Sequence, residues 1–219
     1  MELQNYDPAM YKLLPDVGQA FNEFTKTGIR LQSVGKIIRS HRLEGIVGLC
    51  LLHSHFEIAV TERLIQAHVG SQLRTTPREI EDNLVEPYIW KFSLSHDGAG
   101  SKYMITPMEF VDKNLSLATS YFTILMEKQD FLDEVADELS KLNMLDRIGI
   151  CLLHECETLG IDSGVVIETI HIENERAQVL EAADKSTEIS SLIPTLWTFK
   201  EKSYGRFCKR CVPRNDHHG

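Results

Sequence analysis

Apolar positions along the chain fall into two kinds of run. Val34, Ile37 and Ile38 recur at helical spacing with Lys36, Arg39 and Arg42 outward, which predicts a helix over residues 34–41. Phe131, Val135, Leu139 and Leu142 form a second such stripe, inside a stretch over 114–145 that reads as two helices, with Asp130 capping the later one. Continuous β-prone runs predict strands at 46–58, 62–69, 87–92 and 103–111, the last interrupted by Pro107. After the helical stretch, strands are expected again at 148–155, 165–173 and 194–199. Residues 1–20 read as an arm with short helical turns, and 70–76 as a polar loop. A short helix is expected from Pro77 to residue 84, breaker-rich turns at 95–101 and 160–164, and a polar helix over 174–189.

The runs repeat. At an offset of 101, Gly48, Cys50 and Leu51-Leu52-His53 meet Gly149, Cys151 and Leu152-Leu153-His154; a small insertion brings His68 onto His171. At an offset of 107, Pro87-x-Ile89-Trp90-x-Phe92 meets Pro194-x-Leu196-Trp197-x-Phe199, and the chain's two tryptophans take this one position. The expected fold is therefore α+β: two similar halves from an internal duplication, residues 1–112 and 113–219, built on antiparallel strands about a pseudo-twofold axis. A concave site is expected where the halves meet.

Composition is ordinary for a globular chain of 219 residues, with 42% hydrophobic and 25% charged residues, so a core needs no metal or disulfide to form. The net charge of −9 argues against nucleic acid as a partner and against an anionic membrane surface. The polar start lacks the order of a signal peptide, and no run reaches the roughly 18 apolar residues of a membrane helix. A cytoplasmic location with reduced thiols is the expectation; Cys50 and Cys151, flanked by Leu and Ile, are expected to be buried and inert.

Candidate chemistry gathers at three places. His53 and His55 share one face of a strand, and paired imidazoles two residues apart can chelate a metal; the matching pair in the second half is His154 and Cys156. Cys208-x2-Cys211 followed by His217-His218 is a zinc-ligand pattern, with a tight turn presenting two thiolates, and zinc is the cofactor it would take. Glu62, Glu109 and Glu168 lie in or beside apolar segments where desolvation would suit an acid or base. Ser95-His96-Asp97 reads as a turn. There is no phosphate loop, dinucleotide fingerprint or nucleophile elbow, so no nucleotide or flavin cofactor is expected.

The Leu51-Leu52-His53-Ser54-His55-Phe56 segment, the Trp90 strand and the Cys208…Cys211…His217 tail together resemble a family of uncharacterised proteins from filamentous fungi. That family brings no activity with it; the resemblance implies a fungal source and a biosynthetic-cluster setting. The reading from the residues is a small-molecule enzyme of the lyase, isomerase or hydrolase type. Its catalytic candidates are His53, His55, His154 and Glu62, in a pocket between the halves. The alternatives are an interaction protein with a zinc-stabilised tail and a ligand-binding protein without turnover.

Overall fold

The structure, a computed structural model, describes residues 1–79, 84–97, 100–161, 165–172, 176–184, 186–200 and 206–211. It is α+β, a curled sheet with helices packed on it. The chain runs β1 (Glu2–Leu3), α1 (Pro8–Lys12), α2 (Val17–Lys26), α3 (Gln32–Ser40), β2 (Val47–Leu51), β3 (Arg63–Val69), β4 (Gln72–Arg78), β5 (Val85–Asp97) and β6 (Gly100–Asp112). It continues as α4 (Ser116–Met126), α5 (Gln129–Lys141), β7 (Ile148–Leu152), α6 (His154–Thr158), β8 (Val166–His171), β9 (Ala177–Ala182), a 3-10 turn at Ile189–Ser191, β10 (Ile193–Thr198) and β11 (Arg206–Cys211).

The strand order is β1-β6-β3-β4-β9-β8-β11-β10-β2-β7-β5, and β5 also pairs with β6, so the pairing returns on itself and closes a ring. At its middle, β2 and β7 pair antiparallel with Leu49 opposite Ile150, the two residues that the offset of 101 makes counterparts. β5 pairs with β7 at Trp90↔Ile150, and β10 pairs with β2 at Trp197↔Leu49. Each tryptophan strand thus lies on the central strand of the other half. On the far side of the ring β4 and β9 pair antiparallel around Arg74↔Val179.

Every residue of β2 and β7 is buried, as expected of strands covered on both faces. Packing there is too close for side chains at two positions. A Cβ on Gly149 would stand 2.4 Å from the Trp90 carbonyl oxygen, and one on Gly48 would stand 2.8 Å from a Leu153 methyl and 2.9 Å from the Trp197 carbonyl oxygen. α3 and α5 end alike: Arg42 and Asn143 take left-handed backbone (φ 57° each), and Leu43 and Met144 donate N–H back to Ile38 and Leu139 (3.0 and 2.8 Å).

Several expected elements differ. The expected 46–58 strand stops at Leu51: the Leu52 N–H makes one last bond in the β2–β7 register, to the Arg147 carbonyl (2.9 Å), and Ser54 then bridges to Asp16 in the arm. β7 likewise ends at Leu152 and gives way to α6. The expected loop at 70–76 is largely β4, which also takes Pro77 and Arg78 from the expected helix, because Gly70 supplies the left-handed turn residue (φ 63°) of a β3–β4 hairpin; residues 80–83 of that helix lie outside the described residues. The expected 174–189 helix holds β9, whose Ala177, Gln178, Val179 and Leu180 are buried in the sheet. The turn expected at 95–101 is mostly strand, since β5 and β6 extend to Asp97 and from Gly100. Asp130 falls inside the first turn of α5, where Lys128 holds the N-cap position without a side-chain bond to the helix.

The crowding at the central pair sets an expected ranking. Gly149→Ala should cost about 3 kcal/mol, the upper end of over-packing, because a carbonyl cannot move aside as a side chain can. Gly48→Ala should cost less, and Gly45→Ala, with nothing within 4 Å of the added carbon, should change stability by under about 0.5 kcal/mol. Chemical denaturation of the three variants checks the order.

Candidate metal centre

The site is built by the segment that leaves β2. The N-terminal arm holds that segment from outside the sheet. Asp7 and Asp16 cap α1 and α2 by accepting the Ala9 and Gln19 N–H groups (2.9 Å each). The link between those helices presents the Pro15 carbonyl to the Ser54 N–H at 2.8 Å, and the Tyr11 hydroxyl accepts the His55 N–H at 2.8 Å. His53 and His55 are therefore fixed from the backbone outward. Their rings stand edge to face, centroids 4.6 Å apart, and both are buried.

Glu168 on β8 meets both rings. Its Oε1 lies 3.6 Å from His53 Nε2 and 3.3 Å from His55 Nδ1, and the carboxylate is fully buried. The three donor atoms lie within 4.8 Å of one another. Bonds of 2.0–2.1 Å in a tetrahedron give edges of about 3.4 Å, so the spacing suits a divalent cation. The other nitrogen of His55, Nε2, faces Glu109 Oε1 of β6 at 3.7 Å. β6 and β8 are not neighbours in the sheet, yet both reach one imidazole, so this contact spans the inside of the ring.

The proton positions follow from the partners. His53 Nδ1 lies 2.8 Å from the Leu51 carbonyl oxygen, which only accepts, so Nδ1 carries a hydrogen. His53 Nε2, which has no hydrogen-bond partner among the described residues, then points a lone pair or a second proton at Glu168. A lone pair facing a carboxylate is repulsive unless a cation lies between them. Glu109 is in turn held by the Tyr88 hydroxyl, which donates to Oε2 at 2.6 Å. Outer partners of this kind fix the ring orientation of metal-bound histidines.

A second polar cluster adjoins the first. His154, at the start of α6, lies with Nε2 2.6 Å from Gln66 Oε1, and the Gln66 amide donates to Glu155 Oε1 (3.2 Å) and the Tyr88 hydroxyl (3.4 Å). Hydrogen bonds thus run from His154 through Gln66 and Tyr88 to Glu109. A cavity of about 20 Å³ lined by His53, His55, Glu109 and Thr195 lies beside the two histidines, room for about one water molecule. A larger cleft of about 480 Å³ lies outside it, and Leu14 and Leu52 line both.

The expected site residues divide accordingly. His53 and His55 come together as ligand candidates, although neither lies in a strand. His154 is buried nearby but bonds to Gln66. Cys156 points elsewhere, packing against the Leu73, Val166 and Leu180 cluster, because α6 is a helix and residues two apart do not share a face. Glu62 is outside the cluster: Arg176 grips it with bonds of 2.6 and 2.8 Å, which holds its carboxyl below the usual range, assisted by the Ala59 N–H. Cys208 and Cys211 lie on the strand β11 rather than on a tight turn, and His217 and His218 lie outside the described residues. Cys50 and Cys151 are buried and form no disulfide. Glu168 and Glu109 enter the site through folding. Gln66, Tyr88 and Glu155 drew no attention as sequence, because nothing local marks a polar residue as inward-facing.

No helix among the described residues is long and apolar enough to cross a membrane. No family model, no curated protein and no solved structure matches the chain.

Tyr11 supplies a pH test of this geometry. Burial pushes its phenol well above the ordinary tyrosine value, with the Glu109 charge adding to the shift. The folded state holds that proton more tightly than the unfolded one. The resulting stability is fully present below about pH 10, the unfolded tyrosine value, and is lost as pH rises beyond it. Denaturation between pH 8 and 11 should therefore show a steeper decline for wild type than for Tyr11→Phe. Parallel slopes would contradict the placement of Tyr11 against the cluster.

Proposed function

We propose that this chain is a metal-dependent enzyme acting on a small molecule without an organic cofactor, its centre formed by His53, His55 and Glu168. The observation that carries the reading is His53, whose Nδ1 hydrogen is committed to Leu51 while Nε2 faces a buried carboxylate 3.6 Å away. Two imidazoles and one carboxylate are a donor set for Zn²⁺, Fe²⁺ or Mn²⁺ that leaves coordination positions open. Such an ion polarises a carbonyl or activates a bound water, which serves lyase, isomerase and hydrolase chemistry alike. Glu109, hydrogen-bonded by Tyr88 and lining the same cavity, is the chain's own proton acceptor beside the centre. Substrate would approach through the outer cleft, past Leu14 and Leu52.

The centre draws ligands from both halves, which fits the further proposal that the halves arose by duplication. In support, the β2–β7 register is centred on counterpart residues, and the two tryptophan strands exchange between halves. A cytoplasmic setting in fungal biosynthesis, suggested by the resemblance of the His-x-His segment, accords with the reading.

One observation favours a second reading. The cavity beside His53 and His55 has room for about one water, too little for a substrate, which suits an ion with a structural role.

Metal analysis of protein purified without chelator should find about one divalent ion per chain, and Glu168→Gln or His53→Ala should lose it. A folded wild type that takes up no Zn²⁺, Mn²⁺ or Co²⁺, even when titrated with each, would end the proposal. Cobalt-substituted protein separates the two readings. Azide should shift the visible spectrum where the ion has an open position, and should leave it unchanged where the ion is structural.

A further inference from the structure

The sheet registers identify counterparts for two residues of the centre, Glu168 and His53, while Cys156, at the offset of His55, packs away from it. β4 and β9 pair with Leu73 opposite Leu180 and Thr75 opposite Gln178, so a twofold relation about Arg74↔Val179 makes Thr75 the counterpart of Leu180. Thr75 pairs with Gln66 on β3, and Leu180 pairs with Glu168 on β8. Gln66 is therefore the counterpart of Glu168, one residue out of step with the sequence match of His68 to His171. On the other side of the ring, the β2–β7 register makes His154 the counterpart of His53. The contacts agree: His53 Nε2 faces Glu168 Oε1 at 3.6 Å, and His154 Nε2 faces Gln66 Oε1 at 2.6 Å.

We infer that His154, Glu155 and position 66 form a second metal position, the mate of the His53–His55–Glu168 centre, which the neutral amide of Gln66 keeps from taking a divalent cation. All three residues are buried. The Gln66 carbonyl oxygen stands where a ligand oxygen would, but it accepts a hydrogen from His154 Nε2, and that hydrogen occupies the lone pair a metal needs. The amide nitrogen donates to Glu155, which satisfies that carboxylate with a hydrogen bond in place of an ion. A glutamate at 66 removes both effects. His154 Nε2 would then face an anion, as His53 Nε2 does, and two buried carboxylates on one side would favour a cation between them. The inference rests on the proposed centre for its analogy. It concerns different residues and has its own readout.

The test is metal uptake by the full chain, with Zn²⁺ and Co²⁺ as probes. Gln66→Glu should bind one ion per chain more than its parent, and should do so equally in a background carrying His53→Ala and His55→Ala. Adding His154→Ala should abolish the extra ion. Gln66→Glu that folds only with metal present supports the inference, as the ion offsets the buried charge. Gln66→Glu that folds and gains no ion, or that stays unfolded with metal, overturns it. Gln66→His, which adds a nitrogen donor without charge, should also gain an ion, and a folded Gln66→His without one overturns it equally. Wild type without metal would end the proposed centre, and the comparison in the His53/His55 background would still decide this second position.

Discussion

The rest of the structure depends on how closely β2 and β7 approach their flanking strands. Gly48 and Gly149 let the carbonyls of Trp197 and Trp90 lie where a side chain would otherwise stand. That contact sets the order β10-β2-β7-β5, and each outer strand carries its hairpin partner, β11 or β6. The two hairpins then bring β8 and β3 round by parallel pairing, leaving β4 and β9 to close the far side. The ring closes because four strands at its middle are packed to backbone distance, and the polar cluster exists because the ring closes.

Closure concentrates polar groups that would be expensive singly. Glu168, Gln66 and His154 are fully buried, and Glu109, Glu155 and His55 nearly so. An unpaired charge in such a place costs several kcal/mol, so the groups survive by engaging one another. The Tyr88 hydroxyl on Glu109, the Gln66 amide between His154 and Glu155, and the Leu51 carbonyl on His53 are the visible settlements. Beside them stands the Glu168 carboxylate between the two imidazoles of His53 and His55, a group that could hold a metal ion.

Fold class was legible in the sequence because it depends on local pattern. The apolar runs around Cys50 and Cys151 and the two tryptophan motifs mark the four central strands, and the stripe through Phe131 and Leu139 marks α5. β4 and β9 were not legible. Gln72–Arg78 and Ala177–Ala182 are polar or weakly patterned, and they are strands because their neighbours offer edges to pair with. Local propensity yields to that tertiary demand. The site divides in the same way. His53-x-His55 announces itself by spacing, whereas Glu168 is one of many glutamates until β8 is placed across the ring. The strand expected to align the two histidines ends before them, and the Tyr11 and Pro15 contacts from the arm do that work instead.

Backbone features that correspond at particular positions need not give corresponding chemistry. The helix ends at Arg42 and Asn143, the register of β2 on β7 and the contacts of Gly48 and Gly149 match one another. Side chains do not correspond. After His53 the chain stays irregular and His55 turns inward against Glu168. After His154 it coils into α6, which carries Cys156 away and brings Glu155 in. One carboxylate against one amide, Glu168 against Gln66, then separates a cluster that could hold a metal ion from one joined by hydrogen bonds through the amide. The difference lies in one heavy atom of one side chain, a carboxylate oxygen against an amide nitrogen, and the cluster that has the amide reaches His55 through Tyr88 and Glu109.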